Sequence, residues 1–198
     1  EFLSDLYLIR DSLISHGDSN TARGELQDLI RQAETFGFYL VHLDVRQEST
    51  RHSEAVAELF AQFPGLPDYN ALSEAGRLEA LGGAISRAQE FKVDKSKLRD
   101  ATRETYEVLE VMVRMRHEIS PRAFGAYVIS MTHAASHVME VMFLASLAGL
   151  AGRNGKEWFC NISISPLFET IVDLEHIEPV MTALLANPVY AALVKCSG

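Results

Sequence analysis

Residues 36–52 carry the sequence FGFYLVHLDVRQESTRH, in which a run of alternating side chains follows a glycine. One face of this run is apolar and consists of Tyr39, Val41, Leu43 and Val45. The other face becomes more polar along the chain and consists of Leu40, His42, Asp44 and Arg46. A period of two predicts a β-strand with two different faces. Residues 55–60 then show helical spacing, and α/β folds carry their chemistry where a strand passes into a helix.

Two later segments share the alternating pattern and are predicted as strands, residues 126–132 and residues 161–165. Hydrophobic spacing predicts helices at residues 2–14, 21–36, 73–91, 98–117, 136–150 and 173–185, with a last turn at 189–194. The charged residues 92–97 are interpreted as a linker. Three glycines, Gly149, Gly152 and Gly155, are interpreted as breaks between a helix and the third strand.

The predicted fold class is α/β and predominantly helical, because strands separated by helices form parallel sheets. Each strand has one apolar face and one small or polar face, whereas the strands of a doubly wound sheet are apolar on both faces. The pattern favours part of a (β/α)8-type barrel, with about three parallel strands and long helical crossovers. Three strands cannot close a barrel. Residues 1–198 are therefore interpreted as a single fragment of a barrel region or as a small open α/β domain.

The bulk composition excludes several classes of protein. Hydrophobic residues make up 47% and charged residues 23% of the chain, which is typical of a folded protein. The net charge is −9 and the basic residues form no patch, so neither nucleic acid nor a membrane surface is an expected partner. No apolar run approaches the ~18 residues of a membrane span, and no signal peptide opens the sequence. Cys160 and Cys196 are interpreted as free thiols of a cytoplasmic protein.

The carboxyl ends of the three predicted strands supply three groups that could carry chemistry, Arg46, His133 and Glu169. If the strands are parallel, these groups lie at one end of the sheet. An arginine there can bind a phosphate or a carboxylate through two N–H groups, and a carboxylate there can bind magnesium. Structural alternatives stay open for both charged residues. Arg46 could pair with a nearby glutamate, and Glu169 could favour the start of the last helix through its charge.

His133 and His137 lie four residues apart, with Glu140 close by, and this is also the spacing of a two-histidine metal site. A zinc motif of this type places glutamate directly after the first histidine, where this chain has Ala134. Ordinary residues at the start of a helix are the favoured interpretation. His42, on the polar face of the first strand, is interpreted as a hydrogen-bonded core residue.

At residues 36–52, and at residues 166–175 with the sequence PLFETIVDLE, the chain resembles the phosphoenolpyruvate carboxylases of bacteria and plants. Two further stretches support the resemblance, AYVISMT at residues 126–132 and EFLSDLYLIRDSLISHGD at residues 1–18. The matches span nearly the whole chain. Enzymes of this family are several times longer, so the resemblance is to an internal fragment.

The resemblance implies a carbon–carbon lyase of the cytoplasm that forms oxaloacetate and phosphate from phosphoenolpyruvate and bicarbonate, with Mg²⁺ or Mn²⁺ as cofactor. It also implies a homotetramer that feeds the tricarboxylic acid cycle. In the family, the arginine of the Arg-Gln-Glu-Ser run contacts the substrate phosphate, and Arg46 occupies that position here. The glutamate of the Pro-Leu-Phe-Glu-Thr run is a metal ligand, and Glu169 occupies that position.

Other family motifs are absent from these 198 residues. The Thr-x-His-Pro-Thr-Glu run with the catalytic histidine, the Gly-Tyr-Ser-Asp-Ser run with the second metal-binding carboxylate and the glycine-rich mobile loop do not occur. No catalytic residue is therefore assigned, and the fragment alone is expected to be inactive with no metal at Glu169. A noncatalytic α/β interaction module derived from the family is the alternative. His137 stands where the family usually has aspartate, which leaves its role open.

Overall fold

The computed structural model describes residues 1–38 and 41–197, and the described chain is an α/β fold rich in helices. Its first three helices pack against one another; they are α1 (Phe2–Ser15), α2 (Ser19–Arg23) and α3 (Glu25–Phe36). The remaining elements are, in order, β1 (Leu43–Glu48), α4 (Ser49–Gln62), α5 (Glu74–Ser86), α6 (Asp100–Glu118), β2 (Phe124–Ser130), α7 (Ala135–Ala148), β3 (Ala151–Asn154), β4 (Glu157–Cys160), β5 (Ser163–Pro166), α8 (Ile171–Glu175), α9 (Ile177–Ala186) and α10 (Pro188–Val194). Short 3₁₀ turns lie at Tyr69–Ala71, Ala88–Glu90 and Lys95–Lys97.

The three predicted strands form one parallel sheet in the order β1, β2, β5, so the prediction of parallel neighbours is confirmed. Helices α4 and α7 pack against each other, and their buried side chains form one apolar core with side chains of the sheet. Helix α7 also packs against α5, α6 and α9, and nearly all of its side chains are buried. The core of the molecule therefore lies between α7 and the sheet.

The two faces of the sheet differ as the alternating sequence predicts. Val45, Tyr127 and Ile164 lie side by side in register and pack into the core. On the opposite face, Arg46 lies beside Val128, which lies beside Ser165, and these residues are exposed or half-exposed. We call this second surface the open face. The described residues form an open sheet, and membership of a closed barrel stays a prediction.

The first strand begins later than predicted. Tyr39 and Leu40, assigned to its two faces, lie outside the described residues. Val41 and Leu43 are exposed, although the alternating pattern predicts a buried apolar face there. Strand β2 begins at Phe124, opposite Leu43, so the described residues Val41 and His42 lie beyond the start of the paired strands. His42 also precedes the strand and is exposed, so the prediction that it is a core residue is wrong.

A β-hairpin occupies the segment where only chain breaks were predicted. Gly149 ends α7 with a φ of +92°, and β3 and β4 then pair antiparallel across a two-residue loop, Gly155-Lys156. Gly155 has a φ of +60° at the first loop position, where glycine is favoured because it has no Cβ to clash. Each strand has four residues, which is too short to show a clear alternation.

Two predicted helices are each divided in the structure. The helix predicted at residues 21–36 is interrupted at Gly24, whose φ of −86° and ψ of −133° leave the helical region. The helix predicted at residues 173–185 starts earlier, at Ile171, and is interrupted at His176. Among the described helices, none is by itself long and apolar enough to cross a membrane. Helices α9 and α10 pass that test of length and composition only as a pair bent by 87°.

The side chain of Asp44 replaces part of the backbone pairing between β1 and β2. The strand register shifts between Leu43 and Val45, and Asp44 Oδ1 accepts a hydrogen bond of 2.7 Å from the backbone N–H of Ala126. A Cβ at Gly125 would overlap the Asp44 carboxylate. The glycine is therefore required by close approach, and Asp44 has a structural role.

We expect Gly125→Ala to destabilise the protein by about 1–3 kcal/mol, because the new methyl group displaces Asp44 and leaves the Ala126 N–H without its acceptor. The control is Gly83→Ala in the middle of α5, where a Cβ meets no atom within 4 Å. This control should raise stability by about 0.5–1 kcal/mol, as alanine does in a helix. Urea denaturation of both variants tests the prediction, and two variants of equal stability would contradict it.

Candidate active site

Arg46 and Glu169, predicted to project from the same end of the sheet, are in direct contact. Arg46 Nη2 donates to Glu169 Oε1 at 2.9 Å across 123 residues of sequence. The Arg46 side chain is 62% exposed and that of Glu169 is 30% exposed. An ion pair this accessible contributes only about 0–1 kcal/mol to stability. The contact therefore adds little to the stability of the fold, and its main consequence is that a guanidinium group and a carboxylate lie side by side.

The carboxyl ends of the three strands are joined by hydrogen bonds around β2. Ser49 Oγ, at the start of α4, donates to the Met131 carbonyl at 2.6 Å, and the Thr132 N–H donates to the Leu167 carbonyl at 3.0 Å. Met131 has a φ of +55°, which is unfavourable for a side chain with a Cβ and is held here by its neighbours. Hydrogen bonds on both sides of β2 thus set the separation of Arg46 from Glu169. Sequence reasoning did not identify this strained residue.

His133 and Asp173 form a second polar pair at this end of the sheet. His133 Nδ1 lies 2.6 Å from Asp173 Oδ1, and the His133 side chain is 46% exposed. Asp173 and Thr170 form a capping box at the start of α8. Hydrogen bonds from His133 and from Thr170 lower the pKa of Asp173 to about 2. Asp173 was not singled out from the sequence, although the Thr-x-x-Asp spacing indicates such a cap.

The two histidines of the metal-like spacing contact each other. The ring centroids of His133 and His137 lie 5.9 Å apart, and His137 Nδ1 accepts a hydrogen bond from the His133 N–H at 3.3 Å. Burial lowers the pKa of His137 to about 4, so the ring is neutral near pH 7. Over residues 1–38 and 41–197, no three His, Cys, Asp or Glu side chains are arranged to hold a metal ion. Its hydrogen bond with the His133 N–H indicates that His137 helps to order the start of α7, as expected for a residue at the start of a helix.

Helix α7 begins without a capping side chain of its own, because Ala134 occupies the N-cap position. Glu74 of α5 replaces it, accepting hydrogen bonds of 2.8 Å from both the N–H and the Oγ–H of Ser136. A carboxylate at this position also interacts favourably with the helix dipole. The start of α7, which follows β2 in the chain, is thus fixed by a neighbouring helix.

A polar layer is buried behind the sheet. Glu140 is fully buried and accepts hydrogen bonds of 2.7 Å from Tyr69 Oη and from Ser53 Oγ. Burial raises the pKa of Glu140 to about 7. His52 Nε2 lies 2.9 Å from Tyr127 Oη, and burial lowers the pKa of His52 to about 3. The pKa shifts of Glu140 and His52 both favour the neutral form, which avoids an unpaired buried charge.

Glu169 is suited to be one ligand of a hard cation. Carboxylate oxygens are preferred by Mg²⁺ and Mn²⁺, and the side chain is partly accessible. Asp173, a carboxylate four residues further along the chain, is occupied by His133 and Thr170. The residues present therefore fit a site in which this segment supplies one carboxylate ligand, Glu169, to the ion.

Comparison with known proteins identifies the family of this segment. The model of the family described as "Phosphoenolpyruvate carboxylase" matches residues 1–198. The chain belongs to the phosphoenolpyruvate carboxylase family. It is 40% identical over 205 residues to the phosphoenolpyruvate carboxylase of Rhodothermus marinus, covering 100% of this chain and 22% of that protein. It is 36% identical over 198 residues to that of Parasynechococcus marenigrum, covering 100% of this chain and 19% of the relative.

A third phosphoenolpyruvate carboxylase, from Mycobacterium avium, is 36% identical over 198 residues, which are 100% of this chain and 21% of that protein. The chain thus spans about a fifth of the length of these relatives. Within this segment of the phosphoenolpyruvate carboxylase family, the two residues selected from the motifs, Arg46 and Glu169, are those in contact at the sheet end.

We expect the stability of the protein to fall as the pH rises from about 4.5 to about 7, through Glu140. Its folded pKa of about 7 lies above the ordinary 4.5, so the folded state retains a proton that the unfolded chain releases. The shift corresponds to about 3 kcal/mol. Glu140→Gln removes this dependence. The free energy of unfolding of the variant, taken relative to that of the wild type, should therefore be higher at pH 8 than at pH 5.

Urea denaturation of both proteins at the two pH values tests this expectation. Effects of His52 and His137 are common to the two proteins and cancel in the comparison. Glu118→Gln, at the exposed end of α6, is the matched control. The raised pKa of Glu140 would be contradicted if the free energies of unfolding of Glu140→Gln and the wild type differed by the same amount at pH 5 and at pH 8.

Proposed function

We propose that the full-length protein containing this segment is a phosphoenolpyruvate carboxylase. It would be a carbon–carbon lyase that joins bicarbonate to phosphoenolpyruvate and releases oxaloacetate and phosphate. The observation that carries the proposal is the contact of Arg46 with Glu169 at the carboxyl end of a parallel sheet, in a chain of this family. Parallel sheets flanked by helices bind their substrates at this end.

Arg46 is the proposed contact for the substrate phosphate. A guanidinium group has five N–H donors, and a single hydrogen bond joins Arg46 to Glu169, so the remaining donors can bind phosphate oxygens. The open face leaves the side chain accessible. A positive charge held there stabilises negative charge on a phosphoryl group during its transfer.

Glu169 is the proposed ligand of Mg²⁺ or Mn²⁺. A bound ion would supply positive charge beside a developing enolate oxygen. The chain's own contribution is the orientation of the carboxylate: Arg46 holds Oε1, and Pro166 and Leu167 anchor the segment to β2. A ligand held in one orientation loses less conformational entropy when it binds.

The wider setting is also part of the proposal. A sheet with one face covered by helices and one polar open face is what a segment of a (β/α)8 barrel presents when its inner face is polar. A cytoplasmic location is supported by the free thiols of Cys160 and Cys196. Assembly into a homotetramer and supply of oxaloacetate to the tricarboxylic acid cycle complete the proposal, and both rest on the family alone.

In the full-length protein, we expect Arg46→Ala to lower kcat/KM for phosphoenolpyruvate by about 10²–10³, as loss of a group that stabilises transition-state charge does. Glu169→Gln should raise the concentration of Mg²⁺ needed for activity. Arg51→Ala is the control, because Arg51 lies in the same polar run but pairs with Glu104 of α6. Oxaloacetate formation is measured for each variant. Full activity in Arg46→Ala and Glu169→Gln would reject the proposed site.

Residues 1–198 alone are expected to form no oxaloacetate, because the histidine run and the second carboxylate run are absent and such groups act as a unit. Calorimetric titration of this segment with Mn²⁺ should show weak binding, since Glu169 supplies at most two oxygens. The control is Glu169→Ala. Tight one-to-one binding that is lost in Glu169→Ala would mean that the metal site is complete within these residues.

A further inference from the structure

We propose that His133, held by Asp173, is a second oxyanion-binding group of this site, whose protonated ring contacts a tetrahedral oxyanion such as phosphate. The inference rests on the proposed function, because it adds a residue to the same substrate site. Arg46 contacts Glu169, and His133 contacts Asp173, four residues further along the same segment. Both groups therefore lie beside one short stretch of chain at the carboxyl end of the sheet.

Asp173 is rigidly placed. Its Oδ2 accepts from the Thr170 N–H at 3.1 Å, and its own N–H donates to Thr170 Oγ1 at 3.1 Å. The carboxylate is buried, so its second oxygen, Oδ1, is directed at His133 Nδ1. A carboxylate that is fixed in this way sets the orientation of the histidine ring, as it does in many catalytic and metal-binding histidines.

The orientation of His133 leaves the other ring nitrogen available. Nδ1 faces Asp173 at 2.6 Å, so Nε2 is directed away from that carboxylate, and 46% of the side chain is exposed. A protonated imidazole donates from both nitrogens. The ring can therefore keep its bond to Asp173 and bind an oxyanion through Nε2–H. A neutral ring with its proton on Nδ1 has no donor for the anion.

The titratable groups around His133 either keep the same charge between pH 6 and pH 8 or are held by other partners. Asp173 of α8 has a pKa of about 2 and stays ionised, and His137 of α7 has a pKa of about 4 and stays neutral. Glu74 of α5 is engaged by Ser136, and Glu169 by Arg46. Because an imidazole ring attracts an anion by charge only when it is protonated, oxyanion binding should strengthen as the pH falls from about 8 to about 6.

Sulfate is the probe for the test, because it is tetrahedral and keeps its charge over this pH range. Calorimetric titrations are made on the full-length protein at pH 6 and pH 8, without added metal. The wild type should bind sulfate about tenfold more tightly at pH 6. His133→Gln should lose this difference and bind at the wild type's pH 8 level. Asp173→Asn, which removes the partner's charge, should lose most of the difference.

Two further variants separate this inference from the proposed function. His176→Gln is the matched control, because His176 is another exposed histidine, held through Nδ1 by the Val172 carbonyl, and it should behave as the wild type does. Arg46→Ala should weaken sulfate binding at both pH values. Binding that depends on Arg46 but not on His133 or Asp173 overturns the inference and leaves the proposed function in place. Binding that depends on none of the three contradicts both.

Circular dichroism of each variant establishes that it is folded, and if His133→Gln unfolds, Asp173→Asn decides the question. Acetate is titrated for comparison as a planar carboxylate. A pH-dependent affinity for acetate equal to that for sulfate, and lost in His133→Gln, would overturn the assignment to a tetrahedral oxyanion.

Discussion

The pairing of β2 between β1 and β5 is the constraint on which the candidate site depends. Arg46 and Glu169 are 123 residues apart in sequence, and the two outer strands bring them to opposite sides of one central strand. Ser49 and Leu167 then bind the backbone just beyond β2, at Met131 and Thr132. The cost of the unfavourable backbone at Met131 is of order 1–3 kcal/mol and is offset by these contacts. The site is therefore held by the sheet, and its own exposed ion pair adds little.

The same sheet is supported from behind by a layer that is not purely apolar. Helix α7 is buried on nearly every side, and Glu140 on it would be costly as an unpaired charge. Hydrogen bonds from Tyr69 and Ser53, together with a raised pKa, make the burial tolerable. The pair of His52 and Tyr127 links α4 to β2 within this layer. These polar contacts fix the positions of Glu140 and His52 relative to their partners, because breaking one of them would leave a buried donor or acceptor unpaired.

Several elements could be derived from local pattern, and several could not. The strands of the sheet and the long helices have clear periods, and their positions were predicted to within a few residues. The hairpin of β3 and β4 was missed because its strands are only four residues long, which is too short to show a clear alternation. The roles of Asp44 and Asp173 were also missed, because each depends on a partner brought close by folding.

The sequence by itself determined the α/β class, the two-faced strands and the family, because hydrophobic period and motif are local properties of the chain. It also selected Arg46 and Glu169, since each stands near the carboxyl end of a strand within a recognisable run. Only the tertiary structure decided that these two residues are in contact, that His133 faces Asp173, and that Glu140 is buried. The physical reason is that contacts, burial and the resulting pKa values depend on distances between segments far apart in sequence. Those distances are set by strand register and helix packing.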